Sequence, residues 1–593
     1  MKETQNLEIF SLNKSQFTDS YGIQCSTIIQ HSDRNGLYPT FCRIPVAGKT
    51  TQHSHFEPEI FLIISGTGQI KIDQDIKCIK ENDLIRLPPF SQHELINLGT
   101  EELVFLSIYS EDFEVPILPA NSVVTAAPPT PNGPLHLGHI SGPYLASDIM
   151  KRYIRLRTNS VRSHSGTDDH QNYVSEKAHS LNLNPDIFRR QMRNRIEKGL
   201  QLMQIDFEEF IEPKKDLEYQ TKILSFTQRA IDTGAIVKET IDFPYCNHCN
   251  HTLVDCLIEG LCPSCNESSR GGCENCGLVV PPQDLLKARC TRCNRFADPK
   301  SMSIYTFNLS QHLHRIKSDL NQLTLSPRIL QLIERVEKVK DLKVLVTYPD
   351  ENNSGLKLPE SNQTLHVWFE MAAHYEQFAT NSTAWIHCFG FDNSFYYLLF
   401  IPALLKALNS KAKLPDAVLT NEFLLLDDQK FSTSRGHAIW ADEFVGDSDL
   451  LRLYLSLNRP MNLQSNFRLD HFQNFAFELK MQLSKLQDRA QNLAEIKVGD
   501  IDPSILLECN RLTKELEFLY SPKVFDLRQV SRKILAFIDL IIQKSESGKK
   551  NEKLMLHTFA TLVAPIMPKT SEQLLLALGV NSSNWIKDWT RTL

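Results

Sequence analysis

Near the start of the chain, hydrophobic and polar positions fall into short runs. Residues 60–64, 69–73, 84–87, 94–98 and 103–109 are apolar or alternating, and Gly66-Thr67-Gly68, Glu81-Asn82-Asp83 and Pro88-Pro89 separate them. Short strands with turn residues at this spacing predict an all-β sandwich or barrel over 21–110. The stretch 111–121 has two prolines and no period, and reads as a linker. Beyond it a strand-like run, Ser122-Val123-Val124-Thr125, feeds a Gly/Pro turn at 130–139, after which Ile140, Tyr144, Leu145 and Ile149 recur at near-helical spacing. A strand, a glycine turn and a helix in that order can hold a phosphate on backbone N–H groups and the helix dipole. The residues after Val161 are poor in apolar side chains and read as a turn. From about 464 onward apolar residues return every third or fourth position, as in Phe472, Phe475, Leu479, Leu483 and Leu486, which predicts helices.

At 593 residues the chain should hold three to five domains. A hydrophobic content of 41% with 23% charged residues belongs to an ordinary globular protein rather than a disordered or fibrous one. Lys and Arg total 64 against 70 Asp and Glu, so the net charge of −6 carries no whole-chain signature of a polyanionic partner. There is no run of eighteen apolar residues, and residues 1–13 are too polar for a signal peptide. The expectation is a cytoplasmic protein without membrane contact.

Three constellations carry chemistry. His53-Ser54-His55 on a strand projects both imidazoles to one face, and Glu59 and His93 complete a three-histidine, one-carboxylate set suited to a divalent transition metal. Most of the fourteen cysteines fall in Cys-x-x-Cys pairs: Cys246/Cys249, Cys262/Cys265, Cys273/Cys276 and Cys290/Cys293. Eight thiolates can complete two tetrahedral structural zinc sites, although spacing alone leaves the pairing open. Cys256 stands outside the pairs. His136 and His139 lie three residues apart on one helical turn and can reach one anion.

Gly48, His53, His55, Glu59 and Gly66, then Pro88, His93 and Asn97, resemble the two cupin motifs, with Phe90 where the second usually has glycine. Pro131-Asn132-Gly133-Pro134-Leu135-His136-Leu137-Gly138-His139 resembles the signature of class I aminoacyl-tRNA synthetases of the methionyl branch. That resemblance implies an ATP site with Mg2+, to which Asn132, Gly138, Gly390 and Asp392 contribute, and catalytic roles for His136 and His139. It implies that Asp169 anchors the amino group, that Trp368 and Tyr375 line an amino-acid pocket, and that the inner two cysteine knuckles share one zinc and the outer two the other. Lys430-Phe431-Ser432-Thr433-Ser434-Arg435-Gly436 resembles the second signature, Lys-Met-Ser-Lys-Ser, with Lys430, Ser432 and Arg435 in catalytic places and Thr433 where the second lysine belongs. The resemblance divides the chain into a cupin at 21–110, a linker at 111–121, Rossmann halves at 122–237 and 342–463, a knuckle insertion at 238–341, and a helical bundle like an anticodon-binding domain at 464–593.

The pocket departs from the methionyl pattern at Tyr397, Asn393, Pro128 and Phe391. A phenol and an amide are a poor lining for a thioether, because unpaired buried polar groups are costly. In the bundle, Lys485 stands where the family has asparagine, Arg489 is kept, and Lys544-Ser545-Glu546-Ser547-Gly548 lies where a Pro-Trp is absent, so tRNA is disfavoured. A cupin fused before such a body resembles the hydrazine synthetases. That likeness implies ATP-dependent activation of an amino acid and transfer to the oxygen of an N-hydroxylated amine such as N6-hydroxylysine. A metal in the cupin, zinc being expected, would then assist rearrangement to an N–N bond. The alternative is a divergent methionyl-tRNA synthetase with a cupin appendage.

Overall fold

A computed structural model describes residues 17–27, 37–55, 57–72, 75–87, 91–110, 121–158, 160–351, 354–359, 361–381, 383–431, 436–496, 501–544 and 548–580. The expected linker 111–121, the turn prolines with Phe90, Ser432 to Arg435 and part of 544–548 therefore lie largely or wholly outside the described residues. The chain divides into two units, 1–116 and 117–593.

The first unit is a β-sandwich. Its strands are β1 (Thr18–Ser20), β2 (Ile23–Thr27), β3 (Leu37–Ile44), β4 (Glu59–Ser65), β5 (Thr67–Ile72), β6 (Asp75–Lys80), β7 (Leu84–Leu87), β8 (His93–Asn97) and β9 (Leu103–Ser110). One sheet runs β1-β2-β3-β9-β4-β7 and the other β6-β5-β8. Ile44, Phe61, Ile63 and Phe105 from the first sheet meet Ile70, Ile79 and Leu95 from the second in one core. Gly66 turns β4 into β5 at φ +91°, where a Cβ would lie 2.7 Å from the Glu102 carbonyl oxygen, so only glycine fits. All five predicted strands are present. β6 escaped the pattern because it buries a single side chain, Ile79.

The second unit is built on a parallel sheet in the order Glu209–Ile211, Val161–Gly166, Ser122–Ala126, Trp385–Gly390, Ala417–Asn421. The centre strand is buried along its whole length, as expected with both faces covered. The expected turn after Val161 is instead the strand Val161–Gly166, paired on both sides. Its polar side chains are bonded in place: Ser165 Oγ donates to the Ala126 carbonyl at 3.1 Å, and His164 lies 2.7 Å from His374 and 3.0 Å from Glu209. Burial of satisfied polar groups overrides the apolar signal on which strand prediction rests.

The predicted helix after the glycine turn is interrupted. A first turn, Leu137–His139, opens into a wide turn, Ile140–Tyr144, in which Gly142 is non-helical, before Leu145–Thr158 continues. The fully buried Arg459 donates to the freed carbonyls of Ser141 and Gly142 at 2.8 and 2.9 Å, so the break leaves neither of those oxygens unmet.

The insertion is carried on the antiparallel pair Val237–Cys246 and Asp298–Asn308. Each Cys-x-x-Cys is followed by a left-handed residue, Asn250, Asn266, Gly277 or Asn294. Their N–H groups each return to the carbonyl of the first cysteine at 2.8 Å. Asparagine and glycine are the residues that adopt this conformation cheaply, so the four knuckles repeat one turn. Leu469–Gln491, Pro503–Tyr520, Leu527–Gln543, Lys549–Val563 and Pro568–Ala577 form the helical C-terminal region.

Candidate functional site

In the first unit His53 and His93 face each other across a backbone bridge, with N–H to carbonyl distances of 3.3 and 2.9 Å. The ligand nitrogens of His53, His55 and His93 lie within 4.8 Å of one another. His53 Nδ1 is 2.8 Å from the Thr51 carbonyl and His93 Nδ1 is 3.0 Å from that of Ser91. A carbonyl only accepts, so both Nδ1 atoms carry the proton and both Nε2 lone pairs are left for a cation. His93 Nε2 is buried without a hydrogen-bond partner. Glu59 stands beside the trio, its Oε2 2.9 Å from His55 Nε2 and 3.7 Å from His93 Nε2, while its Oε1 accepts from Ser107 Oγ. Burial would lower His55, but the Glu57 and Glu59 carboxylates outweigh it and push this imidazole up to about 9. The donor set fits a divalent transition metal. Glu57, Ser107 and Tyr21, whose ring stacks on His53 at 4.2 Å, were not singled out from sequence. The alternation His53-x-His55-x-Glu57-x-Glu59 carried the signal for Glu57.

The cysteines gather as Cys246, Cys249, Cys290 and Cys293, and as Cys262, Cys265, Cys273 and Cys276, which is the nested grouping. Sulfur separations of 3.5, 3.5, 3.8 and 4.0 Å match the ~3.8 Å edge of a tetrahedron with bonds of ~2.3 Å. Cys256 is not among them; its thiol donates to Asn172 Oδ1 at 3.0 Å.

At the C-terminal end of the parallel sheet, the rings of His136 and His139 stack at 3.7 Å, and each backbone N–H points at the other's Nδ1 at 3.3 Å. Phe431 stacks on His136 at 4.7 Å, and Gly138 leaves room for both rings. The walls of the cleft desolvate the two imidazoles, lowering His136 to about 2, with His139 adding to the effect, and His139 to about 4. Both are neutral donors at physiological pH. Lys430 reaches Glu274 at the tip of the inner knuckle, 2.7 Å away. Asn132 is half-buried on the turn itself. Gly390 has no Cβ where Asp392 curls back: one would lie 2.5 Å from Asp392 Oδ1. Asp392 is exposed to the cleft, yet the surrounding protein and then Glu274 push its carboxyl up to about 6.

The two adjacent acids differ in their charged partners. Asp169 Oδ2 accepts from Arg189 Nη1 at 3.1 Å and the Lys214 N–H at 3.3 Å, so this carboxylate is tied into the fold. Both acids keep Oδ1 buried without a hydrogen-bond partner, and Thr130 donates to Asp168 Oδ2 at 3.3 Å. Burial, then Glu370 and Asp169, raise the Asp168 carboxyl well above the usual range. Trp368 and Tyr375 lie on helix Val367–Thr380, which Glu370 fastens by accepting from Tyr219 at 2.8 Å and pairing with His170 at 2.9 Å. Tyr397 is buried against His387 and Phe389, and Asn393 is half-buried after the Gly-x-Asp turn.

A parallel sheet with a His-x-Gly-His turn, a Gly-x-Asp turn and a lysine-bearing loop defines a class I synthetase-type ligase. The chain belongs to the family described as tRNA synthetases class I (M), whose model matches residues 122–491, and a cupin domain model matches 40–109. It is 27% identical over 500 residues to the methionine–tRNA ligase of Methanococcus vannielii, covering 76% of this chain and 74% of that protein. It is 32% identical over 370 residues to that of Methanobrevibacter smithii, covering 59% and 55%, and 30% identical over 391 residues to that of Pyrococcus furiosus, covering 59% and 53%. The chain thus spans about half the length of the latter two. The Mycobacterium tuberculosis methionyl-tRNA synthetase in complex with methionyl-adenylate shares the fold, with a TM-score of 0.61 at 15% identity over 79% of this chain and 96% of that one. Among the described residues no helix is long and apolar enough to cross a membrane.

Proposed function

We propose that the chain is a hydrazine synthetase. ATP and an amino acid give an aminoacyl-adenylate. The acyl group then passes to the oxygen of an N-hydroxylated amine such as N6-hydroxylysine, and the ester rearranges in the cupin. There the α-amine attacks the hydroxylamine nitrogen, the N–O bond breaks, the carboxylate leaves with the electron pair, and the ammonium proton is lost to solvent. The observation that carries this reading is a three-histidine cage with two Nε2 lone pairs held ready, in the same chain as an adenylating site.

In the adenylation step His136 and His139 would donate to the phosphates, Lys430 would leave Glu274 to meet them, and Asp392 would accept from the ribose. Asp168 and Asp169 both keep an unpartnered oxygen, and Asp168, whose carboxylate no arginine among the described residues engages as Arg189 engages Asp169, would be the ammonium anchor in place of the expected Asp169. The two Cys₄ sets would hold structural zinc. In the cupin His53, His55 and His93, with Glu59 beside them, would hold a divalent metal, which supplies Lewis-acid polarisation when bound. Glu59 and Glu57 are placed to receive the proton that leaves His55 as a cation arrives.

A second reading, an aminoacyl-tRNA ligase of the methionine type, is favoured by the names of the relatives, which support it better than they support hydrazine synthesis. Against it, Arg489 is engaged inside the bundle by Glu552 and the Ile541 carbonyl, and Lys485 is exposed beside it. Mass spectrometry of a reaction with ATP, the amino acids and N6-hydroxylysine, with and without tRNA, tests the choice. A tRNA-independent hydrazine supports the first reading. Aminoacyl-tRNA without hydrazine overturns it.

A further inference from the structure

Phe391, one of the departures from the methionyl pattern, stands inside the Gly390–Asp392 turn and is buried. The Arg328 guanidinium lies over its ring, 3.7 Å from the centroid. Gly277, which follows the last cysteine of the inner knuckle, packs on the same ring: a Cβ there would lie 2.8 Å from Phe391 Cζ. Arg328 sits on the first turn of helix Pro327–Glu337, and its donors reach both sides of the site. Nη1 donates to the Glu422 carboxylate, which follows the edge strand Ala417–Asn421 of the parallel sheet. Nη2 donates to the carbonyls of Glu274 at 2.9 Å and Asn275 at 2.7 Å, the two residues between Cys273 and Cys276. Further along the helix Arg335 donates to the Cys276 carbonyl at 3.1 Å. One helix therefore clasps the inner knuckle at two points and bears on the turn through a single side chain.

We infer that Arg328 is a positioning residue for the ATP ribose, fixing Asp392 by holding Phe391 against the inner knuckle. This inference rests on the ATP reading above, in which Asp392 accepts from the ribose. Arg328 acts through Phe391: when the ring is released, the backbone on either side of it loosens, and the Asp392 carboxylate with it. A planar guanidinium can present its fork in plane and its face to an aromatic ring at the same time, which a lysine ammonium cannot. Glu422 balances the charge, so the arginine meets an acid, two carbonyls and a ring without an uncompensated cation beside the cleft.

The test is titration calorimetry of the full chain with Mg2+ and ATP, 2′-deoxy-ATP or 3′-deoxy-ATP, for the natural protein, Arg328→Lys and Phe391→Leu. The natural chain should bind ATP more tightly than at least one of the deoxynucleotides. Both variants should weaken ATP by about tenfold, the worth of one charged hydrogen bond, and lose most of that preference. Arg328→Lys keeps a cation beside Glu422, so its effect isolates the stacking and the fork from the charge. A ratio of dissociation constants is independent of the folded fraction, so partial unfolding of a variant does not imitate the result. Full preference for ATP in both variants, even with every nucleotide weakened alike, would overturn the inference. A natural chain that binds the nucleotides equally, or not at all, would overturn the ribose reading of Asp392 and the inference with it. ATP–pyrophosphate exchange over the amino acids is run alongside. Its absence, with the ribose preference present and lost in the variants, would overturn adenylation and still support the role of Arg328.

Discussion

Asp168 and Asp169 are neighbours with different partners: Arg189 donates to Asp169 and Thr130 to Asp168. Asp168→Asn should lower kcat/KM for the amino acid by about 100-fold, ~2.7 kcal/mol in the transition state, without changing ATP binding. Asp169→Asn should lower the melting temperature first, since it loosens Arg189. The pH dependence has a definite sign. The Asp168 carboxyl is raised in the folded, unliganded protein, so that protein binds more protons than the unfolded chain above the ordinary carboxyl range. Stability therefore falls as pH rises from that range through the raised value. A bound ammonium group returns Asp168 to its charged form, so amino-acid binding should release a proton at pH values between the ordinary carboxyl range and the raised value. Titration calorimetry in buffers of different ionisation enthalpy reads that release, and Asp168→Asn should abolish it. The sequence made an acidic pair visible, but not which member is tied up by an arginine. That depends on Arg189, twenty residues away in the chain.

Elements built from apolar periodicity were legible: five strands of the sandwich, the centre strand of the parallel sheet, and the C-terminal helices. Elements held by polar satisfaction were not. Val161–Gly166 is a strand because Ser165 and His164 are bonded where they lie, and the break at Ile140–Tyr144 exists because Arg459, more than three hundred residues away, takes its carbonyls. Arg459→Leu should cost about 3 kcal/mol by denaturant unfolding, as charged hydrogen bonds are lost to buried carbonyls, and should slow adenylation by loosening the turn behind His136 and His139. The knuckles were legible in position, and their nested grouping is now visible in space. Cys262→Ala should lose one zinc equivalent and lower the melting temperature, because structural metal contributes folding energy directly. Unchanged metal content and stability would reject the Cys₄ reading.

At the scale of the whole molecule the chain joins a cupin with a metal cage to a class I synthetase body, and each unit has its own core. Two separable chemistries should therefore respond to separate substitutions. Changing His136 and His139 to alanine should abolish ATP–pyrophosphate exchange and leave the cupin's metal content unaltered. The most direct measurement of N–N bond formation is a time course of O-acyl ester and hydrazine for the natural chain and a His53→Ala, His55→Ala variant, with bound metal determined in both. We expect the variant to lose the cupin metal, keep exchange at the natural rate, and accumulate the ester or its hydrolysis products in place of the hydrazine. Normal hydrazine yield from a variant without cupin metal would contradict the account.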